Sequence, residues 1–219
     1  MELLQFARGP ALTFALFVFV LGTLWRLLGV LLLEWRRIQS TPRAGAPPVV
    51  MAALTSIFGK MWPHKDFVKG SMFSLVNGYI FHIGLAIIIF LFAPHILYIK
   101  SIFGVSWPAL PSNVVLAVGA ITAGSLVAAL VHRLNSPVQR LISRMDDYIS
   151  WAMTFLPVVT GLAATAHFGA RYETLLALHI LSICAFMIWF PFGKLMHAFL
   201  FIISRGATGV RLKHRGAEV

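Results

Sequence analysis

Five stretches of apolar residues, at roughly 11–33, 73–99, 113–132, 148–168 and 175–203, dominate this sequence. Each is long enough to cross a bilayer, because a helix rising 1.5 Å per residue needs about 20 residues to span ~30 Å of hydrocarbon. Backbone inside lipid must satisfy its own hydrogen bonds, so such runs are expected to be helical. Composition agrees: 59% of the 219 residues are hydrophobic, 11% are charged and the mean hydropathy is +0.85. The expected fold is an all-α integral membrane bundle of five transmembrane helices, forming a single domain over 1–219. The first run lacks a basic stretch before it and a small-residue cleavage site after it, so it reads as a retained helix rather than a signal peptide.

A net charge of +11 would suit a nucleic-acid binder. Here the basic residues instead sit in short loops between apolar runs, as membrane topology requires. Arg36, Arg37, Arg43, Lys60, Lys65 and Lys69 lie in the loop 34–72; Arg133, Arg140 and Arg144 lie in 133–147; Arg205, Arg211, Lys213 and Arg215 lie in the tail. That is 13 on one side, against Arg8, Lys100 and Arg171 on the other. The side with the excess is expected to be cytoplasmic, placing the N-terminus outside and the C-terminus inside.

Histidines inside the spans carry the functional reading. His179 and His197 lie 18 residues apart in the last run, LHILSICAFMIWFPFGKLMH. Eighteen residues make five helical turns, so a continuous helix would put both rings on one face, about 27 Å apart along the axis. An ionisable side chain within a membrane normally points into the bundle and marks a working site. Two on one face, near opposite membrane edges, suggest one ligand for each of two stacked haems. In the second run His82 stands in FHIG and His95 follows Pro94. An ideal helix rotates His95 some 140° from His82, and a proline kink would have to bring it round. His95 is the expected partner of His179, with His167 the alternative.

Other residues have plainer readings. The run 49–62 is apolar but short, and reads as a helix at the inner surface or against a partner, ended by Pro63. His64 reads as a hydrated loop residue and His132 as interfacial. Trp107 and Tyr98 fit an interfacial aromatic belt. Ser143 and Asp146 have the spacing of a capping box for the fourth helix. Gly78, Gly84, Thr160 and Gly161 are small positions that permit close approach. The single cysteine, Cys184, reads as a buried thiol, and one cysteine cannot hold an iron–sulfur cluster.

Together, FHIG at 81–84, RLNSP followed by Arg140, LHIL and FPFGKLMH in 178–197, and Arg26 in the first helix resemble the gamma subunit of respiratory nitrate reductase, a membrane cytochrome b. The cytochrome b subunits of membrane-bound heterodisulfide reductase and of the sulfite-reductase-associated membrane complex share the pattern. The resemblance implies two haem b groups, each held by one histidine of helix two and one of helix five. Antiparallel helices then pair His82 with His197 at an inner haem and His95 with His179 at an outer one. In the nitrate reductase version the helix-two histidines stand closer together than 82 and 95.

The resemblance further implies a quinone or quinol reacting near the outer haem, and an iron–sulfur subunit with a catalytic subunit on the cytoplasmic face. The membrane is then the cell's inner, cytoplasmic membrane. Arg26 and Lys194 are candidates to meet haem propionates, and Lys100 is a candidate for the quinone carbonyl. The competing readings are a haem-free membrane anchor or transporter subunit, and a one-haem cytochrome using His82 and His197 alone.

Overall fold

The chain folds as α1 (Glu2–Leu31), α2 (Val49–Gly59), α3 (Val68–Leu91), α4 (Ala93–Phe103), α5 (Ser112–Asn135), α6 (Pro137–Ile142), α7 (Met145–Ala166), α8 (Tyr172–Trp189) and α9 (His197–His214). The structure is a computed structural model and describes residues 2–33, 41–59, 61–62, 66 and 68–217. Arg36, Arg37, Lys60, Pro63, His64 and Lys65 lie outside the described residues. Among those described there is no strand, and five helices, α1, α3, α5, α7 and α8, are long and apolar enough to cross a membrane. The protein is an all-helical, multi-pass membrane protein.

Neighbouring spans form a row in which α1 packs on α8, α8 on α7, α7 on α5 and α5 on α3. The residues between them are small: Ala15, Gly22, Thr122, Ser125, Ser150, Thr154 and Ala177 are buried. In lipid there is no hydrophobic drive to join helices, so close approach through small residues supplies the packing. Large apolar side chains such as Phe14, Phe17, Trp25 and Ile121 point outward instead.

The first span begins nine residues earlier than hydropathy suggested. Glu2 and Arg8 lower the local hydropathy, yet the helix runs through Pro10 by widening into a π-helical turn over Ala7–Ala11. Such a turn accommodates a residue that has no N–H to donate.

The second span also departs from expectation. It ends at Leu91, and Phe92 takes an extended conformation (φ −88°, ψ 126°) before α4 starts with Pro94 in its first turn. The break frees carbonyls, and each finds a donor, as groups shielded from water must. Phe90 O accepts from the Trp107 indole at 2.5 Å, Leu91 O from the Leu110 amide at 2.9 Å, and Ile88 O from a His95 ring nitrogen at 2.8 Å. Trp107 is therefore a partner of the helix break as well as an aromatic near a span end.

The fifth span is the largest correction. A single helix over 175–203 does not form, so the five-turn argument for His179 and His197 fails. α8 stops at Trp189, the chain turns through Phe190–Gly193, and a 3₁₀ turn over Lys194–Met196 leads into α9. Pro191 cannot continue the ladder. Gly193 folds back under the Trp189 ring, where a Cβ would lie 2.8 Å from Trp189 Cε2. The Trp189 indole is held by Ser150 Oγ of α7 at 3.0 Å.

α2 finds its partner within the chain. It packs along α9, with Ala52 and Ser56 against Gly209, and with Ala53 and Ile57 facing Gly206. Arg43 closes the pair at its far end, donating from its amide to His214 O at 3.1 Å and from Nη1 to Gly216 O at 3.0 Å. The capping reading at the fourth span also shifts by one residue. Ser143 Oγ is used by the preceding short helix, donating to Gln139 O at 2.6 Å, so the N-cap falls on Arg144, whose amide donates to Asp147 Oδ2 at 2.9 Å.

Candidate functional site

The four histidines singled out from the sequence come together as two facing pairs. His82 of α3 and His197, the first residue of α9, have ring centres 6.0 Å apart with planes at 86°. His95 of α4 and His179 of α8 have ring centres 6.2 Å apart with planes at 17°. The helix breaks described above produce both meetings. Restarting after Phe92 turns His95 toward α8, which an unbroken helix would not do. Turning at Pro191 brings His197 toward α3.

Each ring is oriented through Nδ1. His82 Nδ1 donates to Gly78 O at 2.7 Å, His197 Nδ1 to Lys194 O at 2.8 Å, and His95 Nδ1 to Ile88 O at 2.8 Å. A carbonyl only accepts, so these three rings carry their proton on Nδ1 and present a bare Nε2. His179 differs, with Nδ1 3.3 Å from the Thr160 hydroxyl. Thr160 Oγ1 gives its own proton to Leu156 O at 2.7 Å and so can accept from the imidazole. Ser182 Oγ lies 2.9 Å from Thr160 Oγ1 and donates to His179 O at 2.7 Å. Gly161 sits beneath this ring, and a Cβ there would fall 2.9 Å from His179 Cε1.

The donor set suits an iron macrocycle. A metal–imidazole bond is about 2.0 Å and the ring centre lies about 1.1 Å beyond the nitrogen, so two rings on opposite sides of one metal have centres about 6.2 Å apart. Both pairs match that spacing. Nδ1–H bonded to a carbonyl is the usual support of a metal-bound histidine. Among the described residues no three of His, Cys, Asp and Glu gather as a metal site, which argues against a zinc-type site with only protein ligands. There is also room. α3 packs on α5, α8 packs on α7 and α1, and α3 and α8 share no extended contact among the described residues. The space beside Gly78, one turn before His82, is open to at least 4 Å.

Beside His197 lies a cavity of about 370 Å³ whose polar lining is Arg26, Asp146, Lys194, His197 and Ser204. Arg26 therefore comes to the His82–His197 pair from α1. Lys194 also reaches it, but its ammonium is bound to Asp147 Oδ2 at 2.6 Å, and Asp147 Oδ1 lies 3.4 Å from Arg133 Nη1. Lys100 is exposed in the last turn of α4, five residues beyond His95.

The remaining candidates go elsewhere. His167 caps α7 in the left-handed region (φ 53°) and stacks on Tyr172 with centres 5.1 Å apart, while His95 faces His179. His132 stacks on Phe73 at 4.5 Å. Cys184 is buried and free. Two site residues escaped sequence reasoning: Thr160, seen only as a small packing position, and Asp147, seen only as a helix-start carboxylate. Their partners stand 19 and 47 residues away, and no spacing rule links them.

No family model matches the chain, and no solved structure matches it significantly. A protein of Nitratidesulfovibrio vulgaris, whose name is given simply as "Protein", is 32% identical over 222 residues, taking in 97% of this chain and 95% of the other. At that identity and over that length, the chain belongs to the same family as this Nitratidesulfovibrio vulgaris protein.

Proposed function

We propose that the protein is a membrane cytochrome b subunit that carries electrons across the bilayer, between the quinone pool and a cytoplasmic-side iron–sulfur partner of a respiratory oxidoreductase. The observation that carries this reading is the pair of histidine pairs, with ring centres 6.0 and 6.2 Å apart. His82 and His197 hold one haem b, and His95 and His179 hold the other. Bound in this way, a haem has both axial positions filled and supplies one-electron transfer rather than oxygen binding.

The chain's own residues do the rest. The Nδ1 bonds fix each ring's tautomer and direction, leaving Nε2 for the iron. The row of spans keeps α3 and α8 apart so that a flat ring fits between them. Arg26, facing the cavity at His197, is placed to meet a propionate, and Lys194 retains donors beyond the one given to Asp147. Lys100 is placed to meet a quinone carbonyl beside the His95–His179 pair. The excess of Lys and Arg on the loops 34–72 and 133–147 and on the tail orients the chain N-terminus out and C-terminus in, in the cytoplasmic membrane. The same basic face receives the iron–sulfur and catalytic subunits. One cysteine cannot ligate a cluster, so the clusters belong to that partner. Likeness to the nitrate reductase gamma subunit, through FHIG, RLNSP and FPFGKLMH, supports the same reading.

A reduced-minus-oxidised visible spectrum of the purified chain, followed by a redox titration, tests it. Two resolved b-type transitions are expected. A featureless spectrum would return the protein to the haem-free anchors or transporters, and a single transition at one haem per chain would leave a one-haem cytochrome.

A further inference from the structure

Asp147 is placed on α7, 50 residues before His197, yet the two are linked by a short chain of contacts. Its Oδ2 accepts from Lys194 Nζ at 2.6 Å and from the Arg144 amide at 2.9 Å, and its Oδ1 lies 3.4 Å from Arg133 Nη1. Lys194 opens the 3₁₀ turn that follows the break at Pro191 and Gly193. Its carbonyl receives both the His197 backbone N–H and the His197 Nδ1–H, the latter at 2.8 Å.

We propose that Asp147 is a positioning residue for His197: by clamping Lys194 to the start of α7 it fixes the carbonyl that aims the imidazole at His82. The inference rests on the haem-ligand reading of His82 and His197.

The physical case is that this turn has little else to hold it. A three-residue 3₁₀ turn after a proline break has no i→i−4 ladder running through it. The Lys194 side chain is half exposed, at 49%, whereas the Asp147 carboxylate is only 11% exposed and sits at the positive N-terminal end of α7. The well-fixed partner is therefore the aspartate, and the lysine is the arm it holds. Asp147 also joins three separate elements, since Arg133 belongs to α5 and donates to Ser143 Oγ at 2.8 Å. Asp146 makes no such clamp. It receives only the Ser150 hydroxyl at 3.4 Å and lines the cavity instead.

The test is a redox titration of the purified, haem-loaded chain, with low-spin EPR of the oxidised form, on wild type, Asp147→Asn, the double variant Asp147→Asn/Lys194→Gln, and Glu173→Gln on the far side. Asp147→Asn is expected to move the transition and EPR signal of the His82–His197 site, and to weaken haem retention there about tenfold, the size usual for support of a metal-bound histidine. The other site and the Glu173→Gln control stay as in wild type. Removing one carboxylate also changes local charge, which the double variant corrects by removing one cation with it. If positioning is the cause, the double variant keeps the defect, because the clamp is still gone. If the double variant behaves as wild type, the effect was electrostatic and the proposal is overturned. It is equally overturned if both sites respond alike, or if neither does. Should Asp147→Asn fail to fold, the double variant decides by the same criterion. A wild-type chain with no transition assignable to His82 and His197 removes the cytochrome reading itself, a result distinct from any of these.

Discussion

The two histidine pairs have nearly the same separation and very different surroundings. His82 and His197 are both exposed at the edge of the bundle, their planes are perpendicular, and each is steered by a carbonyl three or four residues back in its own chain segment. His95 and His179 are half-buried with nearly parallel planes, and their supports come from beyond the local helical turn: Ile88 O across a helix break, and Thr160 on α7. The first pair depends on local geometry plus one clamp; the second depends on tertiary packing. Substitutions in the bundle should therefore disturb the second pair more, and substitutions at the inner turns the first.

The sharpest way to break this comparison is to remove one ligand at a time. His95→Ala is expected to abolish one b-type transition completely while the other keeps its potential, and His82→Ala should do the converse; the check is the redox titration of each. Loss of both transitions in either variant would mean that the pairs are not independent sites.

A smaller effect is expected from Gly161→Ala. Its methyl group would press on His179 at 2.9 Å, and the ring can yield only by turning away from His95. Haem occupancy at that site should fall about tenfold, with the His82–His197 site unchanged, as pigment per chain would show. Unaltered occupancy would mean that α7 and α8 move apart more easily than their packing suggests.

Thr160→Val removes the hydroxyl that receives the His179 Nδ1–H and keeps the shape. It should shift the midpoint of the His95–His179 site alone, because hydrogen bonding to the far nitrogen changes ligand basicity. A shift of equal size at both sites would deny that Thr160 serves one pair.

Trp107→Phe leaves the Phe90 carbonyl without its indole donor. A buried acceptor left unpaired costs about 1–3 kcal/mol, so a modest loss of thermal stability in detergent is expected, together with weaker retention at His95. No change in either would show that water reaches the break.

The architecture was largely legible from the sequence because lipid imposes a simple rule, an apolar run of about 20 residues. The third and fourth spans came out within three residues of their expected bounds. The first was placed too late because Glu2, Arg8 and Pro10 interrupt hydropathy without ending the helix. The fifth was overextended because FPFGKLMH is apolar enough to look continuous, and hydropathy does not see the N–H that Pro191 lacks. Both histidine pairings were reached, but one supporting argument was not sound: His179 and His197 share no helix face, since they share no helix.

Residue types and their order determined that this chain crosses a membrane five times and places histidines where its second and fifth spans can meet. These are one-dimensional quantities, the length of apolar runs and the direction in which each span travels. Only the tertiary structure decided which nitrogen of each ring is tied down, that Thr160 and Asp147 support the pairs, and that helix breaks rather than helix faces bring the rings to 6 Å. The reason is that a broken helix reorients everything after it through a few dihedral angles. Those angles are set by what the freed carbonyls find in space: Trp107, Leu110 and the His95 ring at one break, and Trp189 with Ser150 at the other.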